Sequence, residues 1–274
     1  MKRINFSFLT FSIFLFSIAT ISSWAFFFFS LEQNRGFSIG PGLEFITKLV
    51  GIELGKESAF LSTASWAKSL RLGFTTLTMS ILAIGFAAIF SFLTFPFAAR
   101  TLAFPDRPVI SNPFSTATFL FIKMTHTVTR SVPELVWAML IVFVLHPSVI
   151  AGSMALAFHN YGVLGRLLAE SVENMNQRPI KALRSSGANS IQILFYCVMP
   201  EIFPKFLTYL LYRWEVVIRT TVVVGFLAAG GLGRELKLSM SWFHYDEVGV
   251  LLVTYVILVF LVDGISVFLR KYVS

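Results

Sequence analysis

Charged side chains inside apolar stretches are the residues of this chain best placed to do chemistry. Glu134 lies in an apolar stretch from 114 to 145, and a second stretch after Glu201 holds two arginines and a further glutamate. A charge at the centre of a membrane costs at least about 2.5–3.5 kcal/mol on insertion scales, so each side chain should face protein or water. The candidates for a substrate pathway are therefore Glu134, Arg213, Glu215 and Arg219.

The sequence leaves two interpretations of these charges open. Glu215 and Arg219 are four residues apart and can pair on one helix face, which would make them a structural ion pair. Alternatively, Arg213 or Arg219 lines a pathway and offers positive potential to an oxyanion. Asp263, in the last apolar stretch, is either a packing partner or adjacent to that pathway.

A helix break is predicted beside Glu134. The segment Ser131-Val132-Pro133-Glu134 fits a capping box with a proline early in the new helix. We therefore expect a break near Ser131 with helix on both sides. Glu134 would then either satisfy the backbone donors freed by the break or line the pathway.

The sequence shows no recognisable set of catalytic or metal-binding residues. The single cysteine, Cys197, excludes an internal disulfide and any multi-cysteine metal site. The P-loop pattern is absent, and Leu236 stands where a dinucleotide fingerprint needs its third glycine. We therefore expect a chain that is not an enzyme and binds no cofactor, metal or nucleic acid of its own. The histidines, which show no mutual ligand spacing, are His126, His146, His159 and His244.

The composition is that of an integral membrane protein. Hydrophobic residues make up 56% of the 274 residues and charged residues 13%, against about 25% charged in soluble domains. The mean hydropathy is +0.77, and each membrane-spanning helix needs about 20 apolar residues. The chain is thus predicted to be all-α. Six transmembrane helices are expected at about 4–31, 71–99, 114–145, 149–168, 201–225 and 248–269.

The placement of charge predicts orientation and domain organisation. The formal net charge of +8 comes from lysines and arginines in the loops assigned to the inside, so both termini should be cytoplasmic. The same excess would also attract anions. The first apolar stretch is too long for a signal peptide, so 1–31 is predicted to be a retained helix. Residues 32–69 would form an outer, periplasmic segment and 70–272 the main transmembrane domain.

Three short segments are predicted to affect how the helices pack or end. Ala151 and Ala155 have the small-xxx-small spacing that permits close helix packing. The polar segment 159–162 is expected to interrupt the fourth helix. The glycines of 230–233 are expected to form a flexible or re-entrant outer turn.

One basic segment between two apolar stretches has the spacing of a known motif. Lys181-Ala182-Leu183, three residues, Gly187, nine residues, Cys197, one residue and Met199-Pro200 resemble the EAA loop of bacterial ABC importer permeases. The spacing is kept in full, and Ala182, Gly187 and Pro200 match the identities of that loop. Four positions depart from its Glu, second Ala, Ile and Leu: Lys181, Leu183, Cys197 and Met199.

Three further segments resemble the phosphonate-type permeases, the group that also serves phosphite and related phosphorus anions. They are Arg130–Leu145, Ala155–Glu173 and Tyr212–Gly233, and with the loop the resemblance covers about 70–272. The resemblance implies the type I ABC importer (MetI-like) permease fold. It also implies a permease subunit that moves phosphonate or a related oxyanion across the bacterial inner membrane.

The resemblance further implies the partners. Two copies of the permease would form the pore as a homodimer, two cytoplasmic ATPase subunits would bind ATP and Mg, and a periplasmic binding protein would deliver substrate. One alternative keeps the same importer with another substrate, namely phosphite, phosphate or an unrelated small solute. The other alternative is a stand-alone secondary transporter or channel.

Residues 176–200 would then contain a coupling helix that docks on the ATPase, instead of being a plain basic loop. Pro179 can start this helix, and Gly187 allows the turn into the next span. Ala182, Leu183 and Ser186 are expected to form one small apolar face. Three basic residues, Arg178, Lys181 and Arg184, would pair with acidic groups on the ATPase. The coupling residues are therefore predicted to be Pro179, Lys181, Ala182, Leu183, Ser186, Gly187 and Pro200.

Overall fold

The computed structural model describes residues 6–33, 40–51, 58–103 and 113–273, which are mostly helical. The helices through the broken span are α1 (Phe6–Gln33), α2 (Gly40–Val50), α3 (Thr63–Ala98), α4 (Arg100–Ala103), α5 (Pro113–Ser131) and α6 (Glu134–Leu145). The remaining helices are α7 (Val149–Asn174), α8 (Gln177–Ser185), α9 (Ser190–Ile193), α10 (Met199–Val224), α11 (Gly231–Ser241) and α12 (Tyr245–Val273). Two π-helical turns, Leu194–Val198 and Gly225–Ala229, adjoin the two ends of α10.

The helices confirm the predicted all-α membrane fold. Within the described ranges, four segments are long and apolar enough to cross a membrane: Thr10–Ser30, Thr63–Ala98, Ser190–Leu227 and Tyr245–Val273. The pair α5 and α6, bent by 99°, adds a fifth if it counts as one broken span. The long helix α7 has 26 residues and is continuous, but it is not among these segments, so four or five of the six predicted spans are found in the described ranges. The predicted interruption at 159–162 is therefore wrong, since the helix continues through these residues and Asn160 is buried within the protein.

The chain divides into two compact units, Met1–Lys48 and Leu49–Ser274. In the first unit, α1 is apolar on all sides, and its side chains from Thr10 to Phe29 are exposed. A helix that is apolar all round suits a lipid environment.

The second unit is organised around α7. This helix packs against α3, α5, α6 and α10. The predicted close packing is present, because Ala151 and Ala155 are fully buried. Gly162 and Gly165 let α5 approach α7 closely. A Cβ on Gly162 would overlap Thr129 Oγ1 and lie 2.5 Å from the backbone oxygen of His126.

The predicted break between α5 and α6 is confirmed, but its capping is not as expected. The N-cap of α6 is Pro133, and the hydroxyl of Ser131 donates backwards to the carbonyl of Thr127 at 2.6 Å. Proline disfavours helix at the residue before it and lacks an N–H group, which accounts for the break. Trp137 Nε1 donates to the carbonyl of Thr129 at 3.0 Å and so bridges the two helices.

The fifth span begins earlier than predicted. Helix starts at Ser190, with a capping box between Asn189 and Gln192, instead of near Glu201. The 38 residues from Ser190 to Leu227 would extend about 57 Å at 1.5 Å per residue, against a membrane core of about 30 Å. If the excess projects at the Ser190 end, Arg213 and Arg219 lie inside the core.

The glycines at 230–233 form a turn, as predicted, and helix α11 begins within it at Gly231. Gly230 and Gly231 have backbone φ angles of 101° and 67°, which residues with a side chain rarely adopt. They turn the chain sharply into α11, where the N–H of Leu232 donates to Thr76 Oγ1 at 2.9 Å. A Cβ on Gly233 would overlap the carbonyl of Val222, so α10 and α11 are in backbone contact.

The close contact between α5 and α7 predicts the effect of one methyl group. Gly162→Ala should lower the melting temperature in detergent, because the added Cβ meets backbone atoms that cannot rotate away. We expect a loss of about 1–3 kcal/mol, measured by thermal unfolding of the purified protein.

The matched control is Gly85→Ala on α3, where no described atom lies within 4 Å of the new Cβ. This variant should be neutral or more stable, by up to about 1 kcal/mol, because alanine favours helix over glycine. Equal stability of the two variants would contradict the packing described here.

Candidate functional site

A polar cluster lies beside the break between α5 and α6. The side chain of Asn160, on α7, is fully buried. Its Oδ1 accepts hydrogen bonds from Arg213 Nε at 2.8 Å and from Arg213 Nη2 at 2.6 Å. Its Nδ2 donates to the carbonyl of Leu156 at 2.7 Å. The amide is therefore satisfied on both sides, and it fixes the Arg213 side chain against α7.

Glu134 and His159 complete this cluster. Glu134 Oε1 lies 3.7 Å from Arg213 Nη2 and 3.9 Å from His159 Nε2. His159 Nδ1 lies 3.0 Å from the carbonyl oxygen of Val132, to which it donates. The side chains of Glu134 and Arg213 are each 15% exposed and that of His159 18%, so the cluster is mostly, but not fully, enclosed.

The structure thus brings two of the predicted pathway residues together and adds two that the sequence analysis did not select. Glu134 and Arg213 were singled out as charges in apolar stretches. Asn160 and His159 belong to the segment that the sequence analysis interprets as an interruption of the fourth helix. The available signal was a polar pair within the mostly apolar stretch 149–165.

The other two predicted residues take part in ion pairs with α12. Arg219 Nη2 lies 2.7 Å from Asp263 Oδ2, and Arg270 Nη2 lies 2.7 Å from Glu215 Oε1. The pairing of Glu215 with Arg219, one of the two interpretations that the sequence left open, is therefore not the one observed. The antiparallel packing of α10 and α12 offers each residue a partner on the neighbouring helix.

The Arg219–Asp263 pair remains accessible. The Arg219 side chain is 49% exposed and that of Asp263 31%. Both belong to helices that meet the criteria for a membrane span. A charged pair in that position cannot face hydrocarbon without a large cost, so its open side must meet protein or water.

The predicted coupling segment contains a short, well-capped helix, α8. The side chain of Asn176 accepts from the N–H of Arg178 at 3.1 Å at its start. At its end, the N–H of Gly187 donates to the carbonyl of Arg184 and the N–H of Ala188 to that of Leu183, both at 3.0 Å. This is a Schellman motif, and it requires the φ of 86° at Gly187. The predicted turn at this glycine is confirmed.

The two sides of α8 have different environments. Ile180 is buried and Leu183 packs beside it in a cluster with the ends of α3, α7 and α10. Leu183 therefore does not share an exposed face with Ala182 and Ser186, and that part of the prediction is wrong. The predicted coupling residues that are exposed are Pro179, Lys181, Ala182, Ser186, Gly187 and Pro200.

Pro200 occupies the start of α10, directly after the π turn. Since proline has no N–H, it cannot continue the regular hydrogen-bond ladder. The N–H of Met199 instead reaches back five residues to the carbonyl of Leu194. The last position of the EAA-like spacing thus coincides with a local widening of the helix.

Comparison with solved structures defines the class of protein. An inward-facing structure of the MetNI methionine ABC transporter matches with a TM-score of 0.64 at 18% identity, covering 78% of this chain and 100% of that one. A crystal structure of an amino acid ABC transporter with histidines matches with a TM-score of 0.60 at 16% identity, covering 77% and 99%. At these identities the likeness shows the fold, which is the predicted MetI-type importer permease fold.

Sequence comparison then gives the family. Residues 109–274 match the family described as binding-protein-dependent transport system inner membrane component. Because the match extends over more than half of the chain, this protein belongs to that family. It is thus a multi-pass inner-membrane transport component, and the resemblance to ABC importer permeases is confirmed.

Curated relatives place the chain in the phosphonate group of these permeases. The phosphite transport system permease protein PtxC of Stutzerimonas stutzeri is 34% identical over 231 residues, covering 84% of this chain and 78% of that protein. The putative cryptic phosphonate transport system permease protein PhnE2 of Escherichia coli is 37% identical over 119 residues, covering 43% and 98%. The phosphate-import permease protein PhnE of Mycolicibacterium smegmatis is 34% identical over 144 residues, covering 53% and 27%.

The Arg219–Asp263 pair predicts a double-mutant result. Asp263→Asn should lower the free energy of unfolding by about 1–3 kcal/mol, because it leaves the Arg219 charge without its partner in a membrane span. Adding Arg219→Gln should recover most of this loss. Thermal unfolding of the purified protein in detergent is the measurement.

Glu201→Gln is the matched control, since Glu201 forms an exposed ion pair with Lys205 four residues along the same helix. Its effect should stay near 0.3–0.5 kcal/mol. A double variant no more stable than Asp263→Asn alone would show that the two side chains do not depend on each other.

Proposed function

We propose that this chain is the membrane-spanning subunit of an ATP-driven importer for phosphonate or a related phosphorus oxyanion. The observation that supports it best is α8, a short helix anchored on one side by Ile180 and Leu183 and exposed on the other. That arrangement suits a surface on which a separate ATPase docks. ATP and Mg would bind to that ATPase, and this chain would hold no cofactor itself.

The substrate is proposed from the relatives and from charge. Proteins named for phosphite, phosphonate and phosphate transport are among the relatives. The name of PtxC, which aligns with most of this chain, makes phosphite the second candidate substrate. Phosphorus oxyanions of this kind are negatively charged at neutral pH, so intramembrane arginines suit their passage. Glu134, Arg213, Glu215 and Arg219 are the proposed pathway residues.

The proposed partners and the orientation in the membrane are argued from the basic residues of α8 and α12. Arg178 and Lys181 on α8, and Arg270 and Lys271 at the end of α12, support a cytoplasmic location for these two segments. The cytoplasmic location of both termini stays a prediction from the charge pattern of the sequence. The lysine at 181 replaces the glutamate of the EAA loop, so the ATPase groove facing it should be acidic. A periplasmic binding protein would deliver substrate at the opposite end.

A second copy of the chain is the proposed neighbour in the membrane. The Arg219–Asp263 pair supports a homodimer, because its exposed side needs either protein or a water-filled pathway. A pathway between two identical chains supplies both. This arrangement would put one Arg219 from each copy near the translocation route.

Reconstituted transport tests the proposed function. Proteoliposomes containing this chain, its ATPase and its binding protein should take up labelled methylphosphonate only when ATP is enclosed with the ATPase domains. Competition by phosphite would distinguish the two candidate substrates. Uptake by this chain without the ATPase would overturn the proposal and favour a stand-alone transporter or channel.

The same preparation tests the coupling helix. Gly187→Trp should reduce uptake by about tenfold or more, equivalent to at least about 1.4 kcal/mol. It strains a position with a φ of 86° and adds bulk to the exposed surface, although no described atom lies within 4 Å of the new Cβ. ATP hydrolysis should lose its dependence on the binding protein.

Gly187→Asn is the control for backbone strain, because asparagine tolerates left-handed geometry better than other side chains. It should retain most of the uptake. If Gly187→Trp left both uptake and stimulated hydrolysis intact, α8 would not be the coupling element.

A further inference from the structure

Arg213 is held differently from the other cations of α10. Lys205 pairs with the carboxylate of Glu201 at 2.9 Å, and Arg219 pairs with that of Asp263 at 2.7 Å. The hydrogen bonds of Arg213 go instead to the neutral amide of Asn160. An amide oxygen fixes the orientation of a guanidinium without cancelling its charge.

The nearest carboxylate to Arg213 is only a loose partner. Glu134 Oε1 lies 3.7 Å from Nη2, beyond hydrogen-bonding distance. Glu134 is also the first residue of α6, where the positive end of the helix dipole stabilises a negative charge. Part of its charge is therefore offset by α6, and Arg213 retains positive potential.

Only one edge of the Arg213 guanidinium group takes part in hydrogen bonds to the protein. Asn160 Oδ1 accepts from Nε and Nη2, which form one edge of the planar group. Within the described part of the chain, Nη1 makes no hydrogen bond. A guanidinium has five N–H donors, so the edge formed by Nη1 and Nη2 keeps donors in the geometry that binds two oxygens of a phosphonate or carboxylate.

We propose that Arg213 is an intramembrane ligand for the transported oxyanion and that Asn160 is its positioning residue. The inference rests on the proposed function. An anion would bind the free edge of Arg213 and replace Glu134 as its negative neighbour. Asn160 would hold the opposite edge and keep the arginine charged but fixed. The Arg213 side chain is 15% exposed, so the site is mostly enclosed but not sealed.

The variant Asn160→Asp distinguishes anion binding by Arg213 from a purely structural link between α7 and α10. Aspartate has the same shape, so it can keep both hydrogen bonds from Arg213 while it loses the one to the carbonyl of Leu156. Its charge, however, neutralises the guanidinium. If Arg213 binds the oxyanion, uptake of methylphosphonate by the complete importer should fall about tenfold or more. Because aspartate cannot make the hydrogen bond to the carbonyl of Leu156, uptake should be compared at equal amounts of assembled complex.

A second substitution restores the charge balance. Adding Glu134→Gln to Asn160→Asp returns the cluster to its original net charge, so much of the lost uptake should return. A structural lock would not respond in this way. Arg213→Gln, which removes the cation, should lose uptake in either background.

Direct binding covers the case in which Asn160→Asp does not assemble. Equilibrium dialysis of labelled methylphosphonate against the purified permease–ATPase complex, without binding protein, should show more bound anion for Glu134→Gln than for wild type. It should show almost none for Arg213→Gln. Equal binding by all three proteins would overturn the inference.

Failure of the inference differs from failure of the proposed function. Wild-type complex that imports no phosphorus oxyanion contradicts the proposed function. Wild-type and Asn160→Asp complexes that import at equal rates contradict only the role of Arg213 and Asn160.

Discussion

The cost of placing charge in hydrocarbon governs how the spanning helices of this protein associate. Arg213, Glu215 and Arg219 all lie on α10, and each could be retained in a membrane only by meeting a partner or water. Asn160 on α7 meets the first, and Arg270 and Asp263 on α12 meet the other two. These contacts fix the register of α10 against two neighbours. The hydroxyl of Ser266, which donates to the carbonyl of Leu211 at 3.2 Å, adds to the same antiparallel contact.

Small residues on α7 make those polar contacts possible. Its buried alanines and glycines let α3 and α5 approach closely, so that hydroxyl and amide groups reach across. Ser153, for example, donates to the carbonyl of Met79 on α3 at 3.2 Å. Without large side chains between the helices, packing contacts and hydrogen bonds supply the association that the hydrophobic effect cannot provide in lipid.

The features that could be predicted from the sequence are those set by local chemistry. Composition gave the spans, Pro133 gave the break, and the spacing around Gly187 gave the turn after α8 and the family resemblance. Partners supplied by distant segments could not be found in this way. The spacing of Glu215 and Arg219 suggested a pair within one helix, whereas α12 competes for both through contacts 44 and 55 residues away along the chain.

The predicted boundaries of two helices were wrong for a related reason. The sequence predicts that 159–162 interrupts the fourth helix and that 190–200 precedes the fifth span. The structure extends helix through both, because Asn160 satisfies its own donors and Asn189 caps α9. The site was likewise incomplete in the sequence, since Asn160 shows its importance only once Arg213 lies beside it. The orientation of Leu183 also depends on the apolar cluster it packs into.

The anchoring of α8 has a mechanical consequence. Ile180 and Leu183 sit in the same close-packed cluster as Phe95 of α3, Leu168 of α7 and Ile202 of α10. A well-packed apolar cluster has little free volume and resists compression. A force applied to α8 should therefore move the ends of α3, α7 and α10 together as one rigid body. A partner would push on the exposed side of α8, and the contacts of its buried side determine which transmembrane helices move.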